Sequence, residues 1–233
     1  PEASLVSLLQ TTKRHGDDIG SVAVGSRMNS PTVVEDWMKV PLPFRVIFEF
    51  LSLTRLDRLF FGTVAGATFV AWAIASATNP FRMRRLRALL RRHGISAPMR
   101  LFDHHYVHAT TALVGSGFPR ALVITIDAQG DGLCSTVYRA EGNTMTRMNA
   151  IAFYHSPGNY YSYITHMFGF KAGREGKVTG LAAYGNPENT IEIFRKHLTF
   201  DPKRMTFLNR GKYRNAEMRY LRKKLAAFSR EDI

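Results

Sequence analysis

The chain has 233 residues, enough for one large domain or two modest lobes with a substantial core. At 45% hydrophobic and 12% aromatic it is not wholesale disordered, and a single cysteine, Cys134, excludes an intrachain disulfide and any multi-cysteine metal site. The net charge of +14 is uneven: residues 82–100 carry seven Arg and no acid, residues 195–230 carry twelve Lys or Arg against Asp201 and Glu217, and the remainder sums to −3.

Pro1 opens the sequence without Met, a basic n-region or an apolar h-region, so no secretory signal is read and the chain is expected to begin inside a domain. Leu5–Gln10 reads as a helix end, and Ser21–Gly25 as a short buried strand. Pro31, Pro41 and Pro43 mark 30–43 as an irregular connector. Helices are expected over 45–58, 60–77 and 82–93, and a brief strand over Met99–Phe102. Leu59–Phe81 holds 23 uncharged residues, long enough to span a bilayer. Six of them are alanine, with Thr, Ser and Asn interspersed, which favours a helix packed on protein. A peripheral membrane contact through 59–92 is compatible with that reading, with the arginines facing anionic lipid.

From residue 120 the pattern changes. Ala121–Ile126 is a continuous, β-branched apolar run, followed by a turn at Asp127–Gly132, a strand at 133–139, a turn at Glu141-Gly142-Asn143 and a strand at 144–152. Helices are expected at 159–168, 176–184, 188–198 and 215–228.

Three segments carry chemistry. In Asp103-His104-His105-Tyr106-Val107-His108, His104 and His108 are i and i+4, so a helix places both imidazoles on one face at chelating distance. His105 with His108 is the competing pair, and simple helix capping the plain alternative. Asp127-Ala-Gln-Gly130-Asp131-Gly132 places two carboxylates and two glycines at a strand end, suited to phosphate or metal and equally to an ordinary hairpin turn. It lacks the Gly-Lys-Ser/Thr ending of a P-loop. In the third segment Ser156 and Gly158 open a helix, where an anion or a simple N-cap fits. Glu175 and Lys177, with Gly180 beyond, are placed to touch a ribose and a phosphate, or to form a surface ion pair.

The order DHHYVHA, ALVITIDAQGDG, then HSPGNYYSYITHMFGF and GREGKVTGLAAYGNPE resembles the carbamoyltransferases of nodulation and antibiotic biosynthesis, densely over about 100–190. The resemblance implies an α/β, actin-like and Hsp70-like (ASKHA) nucleotide-binding fold, with part of a first lobe in 1–119 and part of a second in 120–233. The first lobe would lack its opening strands and carry a helical insertion at about 35–95. The family's carbamoyl-adenylate-forming domain is expected to lie outside this sequence.

By the same resemblance His104 and His108, with Asp127 as third ligand, hold a divalent ion of the Fe2+ type and form the catalytic centre. Gly130, Asp131, Gly132, Ser156, Gly158, Glu175, Lys177 and Gly180 line an ATP or carbamoyl-adenylate site. Thr179 stands where relatives commonly carry Met. The implied reaction uses carbamoyl phosphate and ATP and passes the carbamoyl group to a hydroxyl of a sugar, glycolipid or secondary metabolite, in the cytoplasm or at its membrane face. The competing reading is a basic module for nucleic acid or anionic membrane, with a tRNA threonylcarbamoyl-transfer relative between the two. No nucleic-acid motif accompanies the charge, and the aromatics do not interleave with it.

Overall fold

The computed structural model describes residues 18–25, 56–171, 173–212 and 215–228, with Leu9, His15, Val46, Phe50, Leu51 and Thr54 as isolated positions. The expected helix end at Leu5–Gln10, the connector 30–43 and the helix 45–58 lie largely outside these residues, although Leu9, Val46, Phe50, Leu51 and Thr54 are helical. The described chain is mixed α/β.

Strand β1 (Val22–Val24) pairs in parallel with β2 (Met99–Leu101), so the two short strands expected at Ser21–Gly25 and Met99–Phe102 are neighbours. β1 is not buried as expected: Val22 and Val24 are half-buried and Ala23 is exposed. Between the two strands lie α1 (Asp57–Phe61) and α2 (Val64–Arg92). Gly62 separates them, and Thr63 caps α2 by accepting from Gly66 N at 3.1 Å. The helices expected at 60–77 and 82–93 are one element of 29 residues with Pro80 inside it. Proline there removes one N–H, the partner of the Ser76 carbonyl, and the Ala-rich and Leu/Arg-rich turns on either side carry the helix across. No helix among the described residues is long and apolar enough to cross a membrane.

Helix α3 (His104–Ser116) follows β2 directly and packs on an antiparallel meander of β3 (Arg120–Gly130), β4 (Leu133–Glu141) and β5 (Thr144–Ala152). Ala109 of α3 meets Val123, Tyr138 and Ala140 in one buried cluster. The apolar run of β3 alternates rather than burying throughout: Val123 and Thr125 point inward, whereas Leu122, Ile124 and Ile126 are exposed. β3 also extends further than expected, to Gly130, so the tight turn is Asp131-Gly132 alone, with φ of 50° and 88°.

Beyond the meander come α4 (Pro157–Met167), α5 (Glu175–Leu181), α6 (Ile191–Arg195), the hairpin β6 (Leu198–Asp201) and β7 (Thr206–Asn209), and α7 (Asn215–Leu225). The helix expected over 188–198 is shorter, because Leu198 already belongs to β6. Tyr160, Tyr163, Ile164 and Phe168 of α4 and its end pack on Leu221 and Leu225 of α7. A third cluster, Phe61, Ala67, Ala152, Phe153 and Tyr154, ties α1 and α2 to the end of β5.

His155 bridges these parts. Its Nε2 donates to Gly62 O at 2.9 Å, and its Nδ1 accepts from Asn209 N at 3.0 Å, a pairing that needs the neutral ring. Burial holds its pKa below the usual imidazole range. The unfolded chain therefore takes up this proton first as pH falls through about 6.5, and the stability His155 contributes at neutral pH is lost below it. The urea midpoint of the wild type is expected to fall more than that of His155→Gln between about pH 7.5 and pH 5.5. Parallel curves for the two proteins would contradict this.

Candidate metal centre

The site starts from two local devices. Asp103 is the N-cap of α3, its carboxylate accepting from Tyr106 N at 2.8 Å, which fixes where the helix begins and so which histidines share a face. The second device is a bulge in β3. Its pairing runs regularly to Ile126 opposite Ser135 and resumes only at Gly130 opposite Leu133, so Asp127, Ala128 and Gln129 face a single residue of β4. Such a bulge re-aims a side chain out of the ladder, and here it delivers Asp127 to α3.

The result is convergence. His104 Nε2 lies 2.7 Å from Asp127 Oδ2 and 3.1 Å from His108 Nε2, and His108 Nε2 is 3.8 Å from the same carboxylate oxygen. All three ligand atoms fall within 4.8 Å of one another. Bonds of about 2.1 Å to one ion would separate neighbouring ligands by roughly 3.0–3.5 Å, so small side-chain shifts suffice to bind. Two imidazoles and one carboxylate form a mixed nitrogen and oxygen donor set that several divalent ions accept. Asp127 Oδ1 is engaged by Ala128 N at 2.6 Å, which leaves Oδ2 for the imidazoles. The bond to Asp127 raises the pKa of His104 despite its partial burial, and the same bond holds Asp127 below the usual carboxylate range.

His105, the other candidate partner of His108, is fully buried and faces the meander instead, with Nδ1 2.8 Å from Thr125 Oγ1 and that hydroxyl 2.7 Å from Thr136 Oγ1. It is a core histidine that anchors α3, and burial lowers its pKa.

The residues expected to line the nucleotide are distributed around this cluster. Gly130 is buried directly beneath the His104 ring, where a Cβ would overlap Cγ and Cδ2 and lie 2.7 Å from Nε2. Asp131 is buried, and its Oδ2 accepts from His104 N at 2.8 Å. A Cβ on Gly132 would meet the α2 backbone, 2.8 Å from Ala67 O. Ser156 donates to Asp127 O at 3.0 Å while accepting from Gly158 N at 3.1 Å, and Gly158 lies against Ala128. These five residues build and brace the bulge that carries Asp127. Glu175, Lys177 and Gly180 sit on α5, whose side-chain contacts run elsewhere: Glu175 accepts from Ser162 Oγ at 3.0 Å, and the Lys177 ammonium lies 5.2 Å from the Phe170 ring centroid. Cys134 offers no nucleophile, since burial pushes its thiol up to about 12.

Residues 68–229, well over half of the chain, match the family described as carbamoyltransferase N-terminus. The nodulation protein NolO of Bradyrhizobium diazoefficiens is 35% identical over 92 residues, covering 40% of this chain and 17% of that protein. The nodulation protein NolNO of Sinorhizobium fredii is 31% identical over 94 residues, covering 40% and 14%. An uncharacterised protein of Methanocaldococcus jannaschii is 35% identical over 124 residues, covering 51% and 24%. The chain thus aligns with less than a quarter of the length of these relatives. With a match of that extent across α2, the His–Asp cluster and every element after it, the chain belongs to the carbamoyltransferase family, in its N-terminal part.

Proposed function

We propose that this chain supplies the transfer centre of an O-carbamoyltransferase, in which His104, His108 and Asp127 hold a divalent ion of the Fe2+ type. The observation that carries the reading is the convergence of two imidazoles and a carboxylate within 4.8 Å in a member of this family. When bound, the ion supplies Lewis acidity and a template for phosphate or carbonyl oxygen. The donor is carbamoyl adenylate, made from carbamoyl phosphate and ATP, and the acceptor is a hydroxyl of a sugar, glycolipid or secondary metabolite. Both donor precursors are cytoplasmic metabolites, which supports a reaction in the cytoplasm or at its membrane face.

A mixed anhydride is already activated, so the protein's work is positioning and charge stabilisation rather than supplying a strong nucleophile. That agrees with the inert Cys134. Asp131 Oδ2 fixes the start of α3 by accepting from His104 N, and the Ser156 hydroxyl fixes the Asp127 backbone beside α4. Lys177, exposed on α5 between half-buried Glu175 and exposed Gly180, is a cation available to a nucleotide phosphate. The parallel β1–β2 pair and the three-stranded meander support an actin-like, Hsp70-like arrangement, with 1–119 in one lobe and 120–233 in the other.

The test is metal binding followed by calorimetry with Fe2+ under reducing anaerobic conditions, and with Mn2+. His104→Ala, His108→Ala and Asp127→Asn are each expected to weaken binding by about a hundredfold, while the exposed Lys177→Ala leaves it unchanged. Equal affinity in the wild type and all three ligand variants would remove the centre.

A further inference from the structure

Helix α2 presents a continuous outward stripe that neither the fold nor the metal centre uses. Phe69, Trp72, Ala73, Ser76, Pro80, Arg84, Arg87 and Arg91 recur at helical spacing and are all exposed. Its first half is aromatic: Phe69 is 64% and Trp72 58% exposed, with ring centroids 6.0 Å apart. The second half is cationic, and Arg85 and Arg92 stand exposed beside the stripe. No Asp or Glu occurs between Asp57 and Asp103, so nothing in this stretch of sequence neutralises these arginines. Helix α1 adds exposed Leu59 and Phe60 at the aromatic end.

We propose that this stripe seats the protein on an anionic phospholipid surface, with Phe69 and Trp72 entering the interface and Arg84, Arg87 and Arg91 pairing with lipid phosphates. An indole on a helix exterior favours the headgroup boundary, with its ring apolar and its N–H wet, and the neighbouring phenyl ring adds apolar area to bury there. Guanidinium groups bind phosphate through paired N–H donors, and the anionic field draws them in. Both chemistries lie along one face of one rigid element, from Phe69 to Arg91 about 33 Å long, so a planar partner engages them together. The helix lies on such a surface rather than crossing it, since no described helix is long and apolar enough to span.

Two other occupants fit less well. A nucleic acid strand stacks its bases on aromatics spaced along a basic groove, whereas here rings and arginines occupy separate halves. A second copy would bring like charges together in a chain of net charge +14.

The experiment is cosedimentation of the 233-residue chain with vesicles of phosphatidylcholine alone and of phosphatidylcholine with about a third phosphatidylglycerol. Binding is expected only to the anionic vesicles, and weaker by about tenfold in high salt. Phe69→Ala/Trp72→Ala and Arg84→Glu/Arg87→Glu/Arg91→Glu are each expected to reduce partitioning by about tenfold. These side chains are exposed, so circular dichroism and Mn2+ affinity should match the wild type. Failure to bind anionic vesicles overturns the proposal, as does binding that both variants retain. Equal binding to neutral vesicles overturns it too. Tighter binding to a duplex oligonucleotide than to vesicles, lost with the arginines but kept by Phe69→Ala/Trp72→Ala, assigns the stripe to nucleic acid instead. The Mn2+ titration is independent of these outcomes, so failure here leaves the transfer centre standing.

Discussion

Gly130→Ala is expected to disperse the His104, His108 and Asp127 cluster and destabilise the chain at once. A methyl group at this position would overlap the Cγ and Cδ2 atoms of His104, and Gly130 is itself buried, so the ring has to leave. Moving it breaks the 2.7 Å contact with Asp127 and the 3.1 Å approach to His108. The neighbouring bond from His104 N to Asp131 Oδ2 resists any compensating shift of the helix start. Metal affinity should therefore fall as far as in His104→Ala, about a hundredfold, with a further loss of about 2 kcal/mol in stability from overpacking. Calorimetry and urea denaturation measure the two effects separately. In a His104→Ala background the ring is gone, and Gly130→Ala should then cost little additional stability. Equal costs in the two backgrounds would show that the glycine serves something other than the ring.

This glycine also marks where sequence reasoning stops. The strand run Ala121–Ile126 and the turn at Gly142 make the meander legible, because β-branched residues and turn glycines are local signals. The His104–His108 spacing likewise gives the chelating face as soon as Asp103 is read as a cap. Asp-Ala-Gln-Gly-Asp-Gly, however, looks like one long loop. Only its pairing with β4 shows that the strand continues through a bulge and that each glycine touches a different neighbour: His104, the α2 backbone, and Ala128 from across at Gly158.

Two further differences have the same origin. The helices expected over 60–77 and 82–93 run together through Pro80, because one lost hydrogen bond does not outweigh favourable turns on both sides. The hairpin β6–β7 escaped because its turn carries no glycine: Met205 takes the φ of 50°, and Asp201 Oδ1 accepts from Lys203 N and Arg204 N. The pair Asp201-Pro202 was the available signal, since aspartate commonly opens such turns. His105 was separable from His104 only by tertiary structure, as both occupy the same turn of α3 and differ in whether they face Thr125 or Asp127.

Glu217 carries the largest expected effect on stability. It is fully buried on α7, with Oε1 2.6 Å from His197 Nδ1 and Oε2 accepting from Lys212 N at 2.7 Å. His197 Nδ1 meets the carboxylate as a close contact off the line of a directed ring hydrogen bond. Tyr160 OH reaches the carboxylate at 3.5 Å, and burial next to Glu217 drives that phenol far above its usual range. Gly211 leaves room for this group, since a Cβ there would stand 2.7 Å from Oε2. Removing the carboxylate leaves Lys212 N and the His197 ring desolvated without it, at about 1–3 kcal/mol for each unsatisfied group, while Tyr160 keeps Asn209 Oδ1 at 3.2 Å. Glu217→Ala should lower the urea midpoint accordingly, whereas Glu217→Gln keeps an acceptor for Lys212 N and should lose less. Hydrogen exchange should quicken first along α7 and then in α4, because Leu221 and Leu225 pack on Tyr160, Tyr163 and Ile164. Ser156 caps α4 and its hydroxyl holds the Asp127 backbone, so a loosened α4 should weaken Mn2+ binding, by less than Gly130→Ala does. A Glu217→Ala protein within about 1 kcal/mol of the wild type would show that α7 is held by its apolar face alone.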